Sequence, residues 1–352
     1  MRHRASFAIS SCVLVVAALT GPAGRAQQAA APAPAPPHVF LYATGGTISN
    51  RDGGRLTVDE LIKSVPNLGQ RVRADGEQFT NVSSGQITID QWLDLSRRIN
   101  ERFKKDAELA GVVVTSGTDT LEELAFFLHL TVRDERPVVV VGSMRNPSQT
   151  GYEGVANLDD AFRVAADPSA RDMGVLVVLN DQINSAREVT KTDARLLNTF
   201  SSGDYGELGT VLDRVTFFRK PVRRHTAHTE FDVSKIQSLP RVDVILTYQG
   251  ASADLIKAAA DLGAKGIVTA GAGAGALSGS QSEGVSQVTE KGVFVVSTTR
   301  TGAGSVGTGG RGGASRRIGG DDLQPLKARI LLMLALATTS DPAEVQRIFR
   351  EY

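Results

Sequence analysis

From His38 onward the chain alternates short apolar runs with stretches whose apolar residues recur every three to four positions. The first pattern predicts buried strands and the second predicts helices. An opening strand starts at Val39 and stops at Gly45-Gly46, just before Thr47. Further strands are expected over Phe79–Ser84, Val112–Thr115, Pro137–Val141 and Val175–Leu179. Helices are expected over Thr57–Val65, Ile89–Ala110, Thr120–Val132 and Val155–Ala166, the first opened by a capping box of Thr57 with Glu60. Continuously apolar strands separated by helices imply a mostly parallel sheet covered on both faces. Around 217–239 the pattern breaks into polar, basic sequence, F-F-R-K-P-V-R-R-H-T-A-H-T. A smaller run of alternation follows, with strands at Val242–Leu246, Ile267–Ala270 and Val293–Ser297. Its helices are Asp254–Leu262, Leu323–Thr338 and Pro342–Phe349. The fold class is therefore α/β: a larger N-terminal domain over 38–219, a linker over 220–240, and a smaller C-terminal α/β domain over 241–352.

The first residues follow a different pattern. Met1–Arg4 is basic, Ala5–Thr20 is mostly apolar, and Gly24-Arg25-Ala26 supplies small residues for a signal peptidase. Residues 1–26 thus read as a secretory signal peptide, cleaved after Ala26, which sends the chain to the periplasm or the medium. The apolar run is too short for a membrane anchor. A lipoprotein signal at Ile9–Cys12 is the weaker reading, because most of the apolar segment follows the cysteine. Residues 27–37 alternate Ala and Pro and form an extended spacer. Apolar content of 41% and a formal charge of +1 describe an ordinary globular core with no field for nucleic acid or a membrane surface. Cys12, the only cysteine, lies in the leader, so the mature chain has no disulfide and no thiol chemistry.

Candidate chemistry concentrates in loops. In V-F-L-Y-A-T-G-G-T-I-S the glycines permit a sharp turn and close approach of the backbone to a ligand. Ligands of open parallel sheets bind beyond the carboxyl ends of the strands. Thr47 is there as a nucleophile or as a turn residue. If each loop follows a parallel strand, Thr47, Ser84, Thr118 with Asp119, and Lys191 converge. A hydroxyl nucleophile needs a base, and a lysine can serve once its environment depresses its pKa. The alternatives are that Asp119 caps a helix with Glu122, that Lys191 is a solvated surface lysine, and that Ser84 belongs to a turn. Gly271–Ala276 fits a dinucleotide fingerprint, but the next strand ends in Thr298-Thr299-Arg300 with no acid for a ribose. The Gly-rich stretch Thr301–Gly320, with Arg311, Arg316 and Arg317, is expected as a mobile loop; no aromatic residues interleave with its arginines.

Two motifs carry a resemblance. T-G-G-T-I around Thr47 and T-S-G-T-D-T-L-E-E over Thr115–Glu123 are similar to the paired signatures of bacterial type II L-asparaginases. The likeness continues in V-G-S-M-R (Val141–Arg145), V-L-V-V-L-N-D (Val175–Asp181), V-T-K-T (Val189–Thr192), F-D-V-S-K (Phe231–Lys235) and K-A-R-I-L-L (Lys327–Leu332). It covers His38 to Tyr352 in one register. The resemblance implies hydrolysis of the side-chain amide of L-asparagine to L-aspartate and ammonia, without a cofactor. Thr47 would be the primary nucleophile. Thr118 with Lys191 and Asp119 would form the second catalytic group. The N–H groups of Thr47 and Thr118 would stabilise the oxyanion, Asp119 would hold the substrate's α-ammonium, and Ser84 its α-carboxylate. Ser143 joins the substrate-binding set. Sites in the family lie between the N-terminal domain of one subunit and the C-terminal domain of another, so a homo-oligomer, a tetramer, is implied.

This chain departs from the family at two places. The loop Asn50–Arg55 is short and lacks the family's tyrosine. The regions that would supply a neighbour's asparagine and glutamate read Tyr248–Ser252 and Thr301–Gly320, the latter without Glu or Asp. A glutaminase-asparaginase of relaxed specificity and a catalytically weak binder of acidic amino acids are the alternative readings. No His, Cys or carboxylate cluster has metal-ligand spacing.

Overall fold

The computed structural model describes residues 35–307 and 315–352; the leader and most of the Ala/Pro spacer lie outside the described residues, as does 308–314 of the Gly-rich stretch. The chain opens with β1 (His38–Gly45), a hairpin of β2 (Asn50–Arg51) and β3 (Gly54–Arg55), α1 (Val58–Ser64), β4 (Arg73–Val82), α2 (Ile89–Lys105), β5 (Leu109–Thr115) and α3 (Leu121–Thr131). Then come β6 (Val138–Val141), α4 (Gly154–Ala166), β7 (Val175–Leu179), β8 (Gln182–Ser185), the pair β9 (Thr190–Lys191) and β10 (Phe200–Ser201), β11 (Gly209–Val211) and β12 (Val215–Phe217). The C-terminal part holds β13 (Val242–Leu246), α5 (Asp254–Asp261), β14 (Gly266–Gly271), α6 (Gly279–Glu290), β15 (Phe294–Thr299), β16 (Arg317–Gly319), α7 (Pro325–Thr338) and α8 (Pro342–Glu351).

Eight strands form the large sheet in the order β12-β11-β8-β7-β6-β5-β1-β4, and β13-β14-β15-β16 form the small one. From β4 across to β7 the strands are parallel, as the apolar runs imply. Alternate residues serve opposite faces. Phe40 and Tyr42 enter one apolar cluster with α2 and α3, while Val39, Leu41 and Ala43 enter the other with α1 and α4. This is the strand period of two at work. The first cluster runs on without a break into the buried residues of α7 and of the small sheet. Helix α7 is therefore buried between the small sheet and α3 rather than lying on a surface.

Several expectations are corrected. The fourth strand starts at Arg73 rather than Phe79. As an edge strand it pairs, among the described residues, with β1 alone, so its polar residues remain half exposed and show no apolar run. The second helix ends at Lys105, not Ala110, because the Asp106 side chain accepts the N–H of Glu108 and turns the chain into β5. Strands β8, β11 and β12 join the sheet antiparallel. Helix α6 was not expected from its Gly/Ser-rich sequence. Ser278 caps it by accepting the N–H of Gln281, and Gly284 lets it pack closely on Ala253. Part of the Gly-rich stretch is ordered as β16, parallel to β15. Gly271–Ala276 closes as a tight turn with Ala272 and Ala276 paired, and no helix starts before Gly279. It therefore lacks the adjoining helix N-terminus a dinucleotide site uses.

Candidate active site

The chain leaves β1 toward the edge strand β4 and returns to β5 on the other side of β1. That reversal opens a crevice at the carboxyl ends of β1 and β5, where α/β sheets bind ligands. Thr47 follows β1 and Thr118 follows β5. The loops are pressed together. A Cβ on Gly46 would lie 2.3 Å from the amide nitrogen of Gly117, and Gly46 has φ +80°. A Cβ on Gly117 would lie 2.9 Å from Ser84 Oγ. Glycine at both positions lets the turns after β1, β4 and β5 share one small space. Thr44 ties the first and third of these strands, its N–H donating to Thr115 Oγ1 and its hydroxyl to the Thr115 carbonyl.

Thr47 begins one turn of 3₁₀ helix and is half-buried. Ser84 is buried in the turn after β4. Thr118 is buried, and Lys191 Nζ donates to its Oγ1 at 3.0 Å. The same ammonium donates to Asp119 Oδ1 at 2.9 Å. Asp119 is largely exposed on its other side, and it does not cap α3: the N-cap is Thr120, which makes no side-chain cap bond. Glu122 instead accepts the backbone N–H of Lys191 at 3.0 Å. Lys191 is thus no free surface lysine. Nor does it follow a parallel strand; it arrives on β9, after the antiparallel β8, which corrects the simple four-loop picture. Ser143 is buried, and its hydroxyl donates to the Arg145 carbonyl at 2.6 Å. Its neighbour Gly142 lies against Ser116 and Thr118, so Ser143 sits in the wall behind Thr118.

The segment after Thr47 is a tight hairpin. Asn50 pairs with Arg55, the Asp52 N–H donates to Ser148 Oγ at 2.8 Å, and Arg51 pairs with Glu60. Arg55 donates to the Gly46 carbonyl at 3.2 Å. Tyr205 is elsewhere, bonded to Asp322. Tyr152 is the aromatic residue that reaches this turn, donating its hydroxyl to the Ile48 carbonyl at 2.7 Å. Glu122 and Tyr152 are not identifiable from spacing, since one acts from a helix face and the other from more than one hundred residues away. Among the described residues no group of His, Cys, Asp and Glu is arranged to hold a metal ion.

Comparison with known proteins agrees with this architecture. Residues 38–223 match the family model "Asparaginase, N-terminal", and residues 241–349 match "Glutaminase/Asparaginase C-terminal domain". The chain is 44% identical to the L-asparaginase 2 of Bacillus subtilis, covering 90% of this chain and 87% of that protein. It is 36% identical to a glutaminase-asparaginase of Pseudomonas fluorescens, covering 90% of each. The crystal structure of a probable cytoplasmic L-asparaginase from Campylobacter jejuni superposes with a TM-score of 0.85 at 39% identity, covering 90% of this chain and 99% of that one. With both halves matched over nearly their full length, the chain belongs to the type II branch of the asparaginase family.

Proposed function

We propose that this chain is an amidohydrolase that releases ammonia from L-asparagine and leaves L-aspartate. Thr47 Oγ attacks the side-chain amide carbon. The amide nitrogen leaves as ammonia, taking up the hydroxyl proton, and water then cleaves the threonyl ester to restore Thr47. Backbone N–H groups of Thr47 and Thr118 face the oxyanion of each tetrahedral intermediate. Thr118, Lys191 and Asp119 form the second catalytic group. Asp119, exposed to the crevice, also takes the substrate's α-ammonium, and Ser84 takes its α-carboxylate.

The observation that carries this reading is the contact of Lys191 with both Thr118 and Asp119, set where the chain crosses back from β4 to β5. A group that exchanges a proton with a hydroxyl must be within hydrogen-bond reach of it. L-glutamine is the second substrate to consider, because relatives named glutaminase-asparaginase cover 90% of the chain. We further propose export through the leader 1–26, and a homo-oligomer, a tetramer, in which another subunit closes each site. Ammonia release on L-asparagine and on L-glutamine, measured with the wild type and with Thr47→Ala, tests the reading. Turnover of neither amide would overturn it and leave an amino-acid binder. Comparable kcat/KM on both would make the chain a relaxed glutaminase-asparaginase.

A further inference from the structure

Lys327 is a lysine buried in the core. It lies on the first turn of α7 and is fully buried. Burial pushes its ammonium down to about 7, against the pull of Glu122, Glu188 and Asp322 and with a push from Arg187. A helix N-terminus is also the wrong end for a cation. Its Nζ makes two hydrogen bonds, to the carbonyls of Arg187 at 2.8 Å and of Val189 at 2.5 Å. The stem passes Phe126, whose ring centroid lies 5.8 Å from Nζ.

Those two carbonyls belong to the turn that delivers Lys191. The N–H groups of Glu188 and Val189 both fold back onto the Ser185 carbonyl. A buried carbonyl outside a ladder needs a donor from elsewhere, and Lys327 is that donor at Arg187 and Val189. The same turn is held at its start by Arg187, paired through both terminal nitrogens with Asp322 and donating Nε–H to the Tyr352 carbonyl. At its far end Glu122 holds the Lys191 N–H. Groups from α3, from α7 and from the C-terminal segment thus grip one short stretch of backbone.

We propose that Lys327 is a positioning residue for the hydrolysis: through the carbonyls of Arg187 and Val189 it sets the height of the Lys191 ammonium against Thr118 and Asp119. The smaller half of the chain thereby acts on the site of its own subunit. This rests on the proposed role of Lys191. Side chains misplaced by even about 1 Å cost up to about 100-fold in rate.

The test is a double-mutant cycle, kcat and KM being read from steady-state ammonia release for Lys327→Met, Lys191→Met and the double variant. Lys327→Met should lower kcat by about 10- to 100-fold with a much smaller change in KM. On the Lys191→Met background it should cost nothing further, since residues acting as a unit are not additive. Hydrogen exchange should rise in 187–192 and not along β13–β15. An equal loss on both backgrounds, or faster exchange throughout the small sheet, would make Lys327 merely structural and overturn the proposal. Wild-type kcat in Lys327→Met would do the same. Wild-type kcat in Lys191→Met would instead overturn the assignment of Lys191, and the proposal with it. Should Lys327→Met fail to fold, Lys327→Gln, one bond shorter but still a donor, is carried through the same cycle.

Discussion

Gly46 and Gly117 touch through their backbones: a side chain on Gly46 would lie 2.3 Å from the Gly117 nitrogen. The two signature loops are therefore one structural unit, and the space between them admits no methyl group. Gly46→Ala should lose about 1–3 kcal/mol to its positive φ alone, and turnover should collapse as the loops part. Gly69→Ala, where an added Cβ meets nothing within 4 Å, should leave both unchanged. Thermal melts and ammonia release on the two variants decide the point; an active Gly46→Ala would refute the close packing.

Each signature contributes one hydroxyl. Thr47→Ala and Thr118→Ala should each lower kcat by about 1,000-fold or more while melting within a few degrees of the wild type. Asp119→Ala should raise KM and lower kcat together, because a lost anchor costs orientation as well as affinity. Since Asp119 does not cap α3, its loss should cost little stability. Wild-type kcat in Thr47→Ala would sink the nucleophile assignment.

The turn after Thr47 is held by Tyr152 and Arg55 rather than by a tyrosine of its own loop. Tyr152→Phe leaves the Ile48 carbonyl without its donor, a cost of about 1 kcal/mol, and should lower kcat more than Tyr205→Phe, whose hydroxyl bonds Asp322. Grafting a longer, tyrosine-bearing loop between Ser49 and Thr57 should lower KM by closing the site more fully. A well-folded graft with unchanged kcat and KM would show that this loop is not limiting.

Acid should destabilise the fold through His129 and His225. Burial holds both rings below their ordinary value of 6.5, and they face each other with centroids 5.4 Å apart. His129 Nδ1 accepts the Val175 N–H, so its proton is on Nε2, which has no partner among the described residues. Below 6.5 the unfolded chain binds protons that the folded chain refuses. The contribution of these two rings is therefore full above that value and falls as pH drops below it, until the folded rings protonate too. Urea melts from neutral pH downward should show the slope, and His129→Asn, which keeps an acceptor near Nδ1, should flatten it. A slope in His129→Asn as steep as in the wild type would refute the assignment.

Much of the architecture was legible because it is written in local patterns. Apolar runs such as Val138–Val141 can be satisfied only by burial on both faces, and Thr57 with Glu60 forms its capping box from neighbours alone. Glycines 45, 46 and 117 marked the turns that carry Thr47 and Thr118. What remained hidden depends on partners distant in the chain. The strand at Arg73 exists because β1 offers a ladder, α6 because Ala253 accepts Gly284, and the antiparallel β8 because the turn after β7 sends the chain back. Lys191 was a candidate base by its loop and by resemblance, with a solvated surface lysine as the alternative, and only the fold brings Thr118, Asp119 and Glu122 around it. Nothing in the helical pattern over Leu323–Thr338 marked Lys327 as buried, because a sequence records which side chains are polar but not how many elements will pack around them. Periodicity and turn chemistry act over a few residues and determine the elements; burial and pairing act across more than a hundred and were decided only when the small sheet and α3 closed on α7.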